Sequence, residues 1–152
     1  MGSLYDEDLV LWSKEQARAL REAARAGWNA PIDWENVAEE IESLGRSDRR
    51  ALASHIATVI EHLLTLQAAP ARDPAHGWEE TILRARGEIE ELLGDSPSLR
   101  REIAGVISRK LPAARKVVEA GLRDHAEQPL HALDQLTYTE DQILGDWLPP
   151  AA

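Results

Sequence analysis

Apolar residues recur at spacings of three and four along almost the whole chain, and no stretch alternates apolar with polar positions under β-branched or aromatic enrichment. That pattern predicts an all-α protein, a single-domain bundle of about five or six helices with a core spanning about residues 4–148. The first helix is expected to start near Asp6, with Asp6 as its cap and Glu7 and Asp8 favouring the positive end of its dipole. It presents Leu9, Trp12, Leu20, Ala23 and Gly27 to the core and ends at "AGWNAP". A second helix is expected from Asp33 as N-cap, with Trp34, Val37, Ala38, Ile41 and Leu44 on one face and Gly45 in the left-handed C-terminal position. Ser47 then caps a third, whose stripe runs Leu52, His55, Ile56, Val59, His62, Leu63 and Leu66 up to the loop "AAPARDP".

The remaining elements follow the same logic. Trp78, Ile82, Ala85, Ile89 and Leu93 share one side of a fourth helix, from Trp78 to about Leu93, closed by Gly94. In "DSPSLRREI", Ser96 is the N-cap of the next and Pro97 its first helical residue, where the missing N–H costs nothing. The stripe Ile103, Ile107, Leu111, Ala114, Val118 and Leu122 keeps its phase across Pro112, which predicts a kinked but continuous helix. Thr139 and Gln142 form a capping box with Tyr138 and Ile143 at staple positions, so a short C-terminal helix is expected, followed by Trp147 and Leu148 as an anchor for the tail.

The stretch "VAEEIESLGRSDRR" concentrates charge at the expected joint between the second and third helices. Asp48 and Arg46 there complement helix dipoles, an effect of about 0.3–1 kcal/mol each when exposed. On a helical wheel Glu35, Glu39 and Glu42 fall opposite the apolar stripe and are most simply a solvated face. Glu40 flanks the stripe, within range of Arg49, Arg50 or a neighbouring helix. The candidate interaction residues are therefore Glu39, Glu40, Glu42, Arg46, Arg49 and Arg50, together with His62.

Composition narrows the functional classes. A chain of 152 residues with 43 % hydrophobic content can bury roughly two-thirds of its unfolded surface around one core. Its formal net charge of −10 opposes non-specific binding to phosphate backbones, so nucleic acid is not the expected partner. With no cysteine, disulfides, thiolate nucleophiles and thiolate metal sites are excluded, and a reducing cytoplasm is the expected location. The N-terminus has neither a cationic leader nor a myristoylation pattern, and no apolar run approaches membrane-spanning length, so no membrane association is expected.

No cofactor is implied. There is no phosphate-binding glycine loop, no nucleophile elbow and no dinucleotide fingerprint. His55 and His62 are two turns apart, too far to chelate one ion unaided, and Glu61 directly precedes His62, which is not the Glu-x-x-His spacing of bundle metal sites. The magnesium pattern of helical nucleotide pyrophosphatases fails because Ser43 follows Glu39 and Glu40 and because Glu91 precedes Asp95 by four. Residues 97–124 carry seven basic side chains (Arg100, Arg101, Arg109, Lys110, Arg115, Lys116 and Arg123) against three acidic ones, and nothing after Arg123 is Lys or Arg. That helix suits an acidic partner, an RNA backbone, a second copy of the acidic tail or the chain's own acidic helices.

"LYDEDLVLW", "QARALR", "VAEEIESLGRSDRRAL", "HLLTLQ", "WEETI", "DSPSL" and "YTEDQIL", in that order from Leu4 to about Leu148, resemble the bacterial family called domain of unknown function 29. Leu9, Thr65, Leu66 and Trp147 depart from the family's usual residues as packing substitutions. The resemblance implies an all-helical cytoplasmic domain, transfers no catalytic residue, and places Glu39, Glu40, Glu42, Gly45, Arg50 and His62 in the family's most characteristic motifs. The resulting expectation is a small non-enzymatic protein that acts through protein–protein contact or self-association. The alternatives are a metal-dependent or carboxylate/histidine hydrolase using Glu39, Glu40 and His62, and nucleic-acid binding through residues 100–123.

Overall fold

A computed structural model describes residues 2–28, 30–70 and 75–150. They form six α-helices: α1 (Leu4–Glu7), α2 (Leu9–Arg25), α3 (Trp34–Ala68), α4 (Ala75–Asp95), α5 (Ile103–Asp124) and α6 (Glu140–Leu144). Two short 3₁₀ helices, Pro97–Glu102 and Leu133–Gln135, precede α5 and α6, and no strand occurs among the described residues. The protein is all-α, and two compact units can be distinguished, Met1–Ala51 with Glu91–Arg101, and Leu52–Glu90 with Glu102–Ala152.

In the first unit, α2 begins later than its acidic run suggests. The Asp6 carboxylate turns back to accept from the Ser3 N–H and hydroxyl, which closes the single turn of α1. Asp8 is the N-cap of α2 and accepts from the Leu11 N–H at 2.8 Å. The buried face is Val10, Ser13 and Ala17, whereas Leu9, Trp12, Leu20 and Ala23 are half-buried and Gly27 is exposed. Gly27 instead ends the helix: at φ +76° it lets its own N–H reach Ala24 O and the Trp28 N–H reach Ala23 O, the paired bonds of a left-handed C-terminal cap.

The expected joint at Gly45 does not exist, because α3 runs unbroken through Gly45, Ser47 and Asp48 to Ala68. Gly45 does not adopt a positive φ; it is required for space, since a Cβ there would lie 2.6 Å from Ser13 Oγ and 3.6 Å from Val10. Asp33 does cap the start of α3, its carboxylate accepting from Asn36. Gly94 does not end α4 either, which continues to Asp95. Ser96 is wholly buried and its Oγ accepts from the Val10 N–H at 3.1 Å, so this side chain serves the start of α2, while Pro97 opens a 3₁₀ turn.

In the second unit the helical stripes pack as their period requires. Leu52, Ile56, Val59 and Leu63 of α3, Ile82, Ala85 and Ile89 of α4, and Ile103, Ile107, Ala114, Val118 and Leu122 of α5 are all buried, with Leu111 half-buried. α4 starts at Ala75, a turn before Trp78. α5 stays continuous through Pro112. The Thr139–Gln142 capping box forms as expected and buries Tyr138 and Ile143 on either side of it.

Candidate functional site

The charged stretch of α3 is organised by a residue that lies outside it. Arg21, on the polar side of α2, donates from Nε to Glu35 Oε1 at 3.0 Å and from Nη1 to Glu42 Oε2 at 2.8 Å, and its Nη2 lies 3.5 Å from Glu39 Oε2. Arg46 closes the group from within α3, bonded to Glu39 and 3.9 Å from Glu42. The hydrogen bond from Arg21, helped by the charges of Arg21, Arg46 and Lys14, outweighs desolvation and holds the Glu42 carboxyl below its ordinary value. The same bond to Glu42, and that to Glu35, raise Arg21.

Glu35, Glu39 and Glu42 thus share an outward face as their spacing predicts, but that face is paired rather than simply solvated. Each carboxylate already has a guanidinium against it, which leaves no uncompensated carboxylate cluster for a cation. Among the described residues no group of three or more His, Asp and Glu side chains is arranged to hold a metal ion.

Glu40 and Arg50 are exposed and outside this network, and Arg49 is half-buried. Beside Glu40 the outer face of α3 carries Val37, Ile41 and Leu44, at i, i+4 and i+7. Val37 is 38 % and Leu44 46 % exposed, with Ile41 half-buried between them. The stripe expected to face the core therefore has only Ala38 fully inside, because the close approach of α2 is made on the Ala38 and Gly45 side. One turn beyond Leu44, Asp48 is half-buried; burial, with the charge of Asp95 added, pushes its carboxyl above the usual value.

The residues named for the two alternatives, a hydrolase and a nucleic-acid binder, are placed as follows. His62 stands twenty-two positions beyond Glu40 on the same unbroken helix, and at about 1.5 Å of rise per residue the two cannot converge on one ligand. His62 instead lines a hollow of the second unit that contains neither Glu39 nor Glu40. His55 is half-buried, and His131 is exposed in the segment before α6. In the basic row, Arg115 donates to Leu136 O at 2.7 Å, Arg123 pairs with Glu119, and Arg101 bonds Ser98 O, whereas Arg109 and Lys116 are exposed. No helix among the described residues is long and apolar enough to cross a membrane.

The sequence pattern gives no sign of Arg21 or Arg86, and assigns Asp8 only a place near the helix dipole. Asp8 accepts from the Ser98 N–H at 2.6 Å and hydroxyl at 2.9 Å as well as from Leu11. Burial alone would raise its carboxyl, but these bonds and the charge of Arg101 more than offset that and lower it. Arg86 is 8 % exposed and donates to the carbonyls of Ile143, Gln142 and Trp147 at 2.9, 2.8 and 2.7 Å. All three have partners at least fourteen residues away, so short-range spacing carries no signal for them.

The family model described as "Domain of unknown function DUF29" matches residues 4–148. Among solved structures, the chain is similar to an alpha-helical protein of unknown function from Rhodospirillum rubrum, with 25 % identity and a TM-score of 0.71 over 95 % of this chain and 90 % of that one. No curated protein matches it.

Proposed function

We propose, for a chain that belongs to the DUF29 family, that it is a non-enzymatic cytoplasmic protein whose work is to bind another polypeptide chain through the outer face of the first half of α3. The observation that carries this reading is the row Val37, Ile41 and Leu44, exposed or half-exposed at the anchor spacing by which one helix docks on another. Glu40 borders the row and supplies a charge free to select the partner's orientation. On the flank, Arg21 and Arg46 offset most of the charge of Glu35, Glu39 and Glu42, which lowers the electrostatic cost of bringing a second chain close.

The test is capture from a lysate of the native host, with sedimentation of the purified protein alongside, comparing wild type with Val37→Glu plus Leu44→Glu. The expected result is a bound partner, or self-association, lost in the variant while helicity and melting temperature are kept. Wild type that stays monomeric and retains no partner, or a variant that binds equally well, overturns the assignment.

A further inference from the structure

The second unit contains a hollow of about 230 Å³ between α3, α4 and α5, independent of the α3 surface just described. Its polar rim is Glu61, His62, Thr65 and His125. The hydrogen bonds of these side chains fix what they offer to a ligand. His62 Nδ1 lies 2.8 Å from Thr58 O, and His125 Nδ1 lies 2.8 Å from Gly121 O. A carbonyl can only accept, so each Nδ1 carries the hydrogen, and in the neutral ring each Nε2 is left as an acceptor. The Thr65 hydroxyl donates its hydrogen to Glu61 O at 2.8 Å, so its remaining capacity is also to accept. Glu61 contributes a carboxylate.

The rim therefore offers acceptors, and none of the described lining residues is Lys or Arg. Trp78 adds an indole, the aromatic surface that best attracts a cation. Val117, though 54 % exposed, lines the hollow with Leu122 and supplies apolar wall. The volume is below the roughly 300–1,000 Å³ of sites for whole drug-sized ligands and suits one short side chain or a small amine. We propose that this hollow binds an organic cation with a short apolar stem, an alkylammonium or guanidinium group whose charge is met by the Glu61 carboxylate and the Trp78 indole, whose N–H bonds go to the acceptors of this rim, and whose stem rests on Val117 and Leu122.

Three probes test this on the full chain at about pH 8, where ordinary imidazoles are neutral: butylammonium, butyrate as the anion of matching length, and a lysine blocked at both ends. The readout is the NMR signals of the Trp78 indole and the His62 and His125 rings. Butylammonium is expected to shift them saturably with a dissociation constant on the order of a millimolar, butyrate to leave them in place, and Glu61→Lys, checked for native helicity, to abolish the response. Saturation by the blocked lysine as well assigns the site to a protein side chain, and saturation by the free amine alone assigns it to a small-molecule amine; either supports the cation site. Equal shifts with butyrate, no saturation with either amine, or undiminished binding in Glu61→Lys overturns it.

Discussion

Replacing Gly45 by alanine sets two effects against each other. Helix propensity favours alanine by about 1 kcal/mol at an interior position. The added Cβ, however, would sit 2.6 Å from the oxygen of Ser13, a buried side chain held by its bond to Val10 O. Overpacking of this kind costs about 1–3 kcal/mol, so Gly45→Ala is expected to destabilise the protein. In a Ser13→Ala background the obstructing oxygen is gone and the same change should become stabilising by up to about 1 kcal/mol. Urea denaturation of the four proteins in this cycle measures the coupling directly. The glycine itself is evident in the sequence, but its reason is not: an end-of-helix angle and a close helix approach both call for glycine, and only the partner's position distinguishes them.

At the scale of the element, α6 is five residues long and cannot persist by its own hydrogen bonds. Its start was legible, because a capping box lies within four consecutive residues. What secures its end was not, since Arg86 arrives from α4 to take the carbonyls of Gln142 and Ile143 and then that of Trp147. Burial lowers the affinity of Arg86 for its proton, with the charge of Asp146 acting the other way. Arg86→Met keeps the bulk but strands three carbonyls, which should cost about 3 kcal/mol and lower the melting temperature by roughly 6–12 °C. Hydrogen exchange should show protection lost first over Glu140–Leu144. Uniform loss across all helices would instead mean that Arg86 supports the core as a whole.

For the whole molecule, the acid response follows from a few carboxylates rather than from the net charge of −10. Asp8 and Glu42 have folded values below their unfolded ones, so near the ordinary carboxylate range the unfolded chain takes up more protons. The stability they contribute is complete above that range and is lost as the pH falls through their lowered values. Asp48, raised by burial and by Asp95, has the opposite sign: it disfavours the folded state at neutral pH and is relieved by protonation. Urea midpoints measured from about pH 7 down to about pH 3 should therefore fall, and fall less steeply in Asp8→Asn, which keeps a competent N-cap without a titrating group. Asp48→Asn should raise the midpoint at neutral pH and lose that advantage in acid.

The sequence by itself determined the helical class, the inward faces of α4 and α5, the cap of α3 at Asp33 and the box that starts α6. Each of these is encoded by residues within a few turns of one another, where period and capping chemistry act locally. Tertiary structure alone decided that Gly45 lies inside one long helix, that Ser96 serves the start of α2, that Arg21 gathers Glu35, Glu39 and Glu42, and that Val37 and Leu44 face outward. Those outcomes depend on which surfaces approach across fourteen or more residues of chain, and a wheel drawn for one helix carries no record of its neighbour. An amphipathic pattern shows that a face is apolar; whether the chain's own helices or another molecule cover it is settled only by packing.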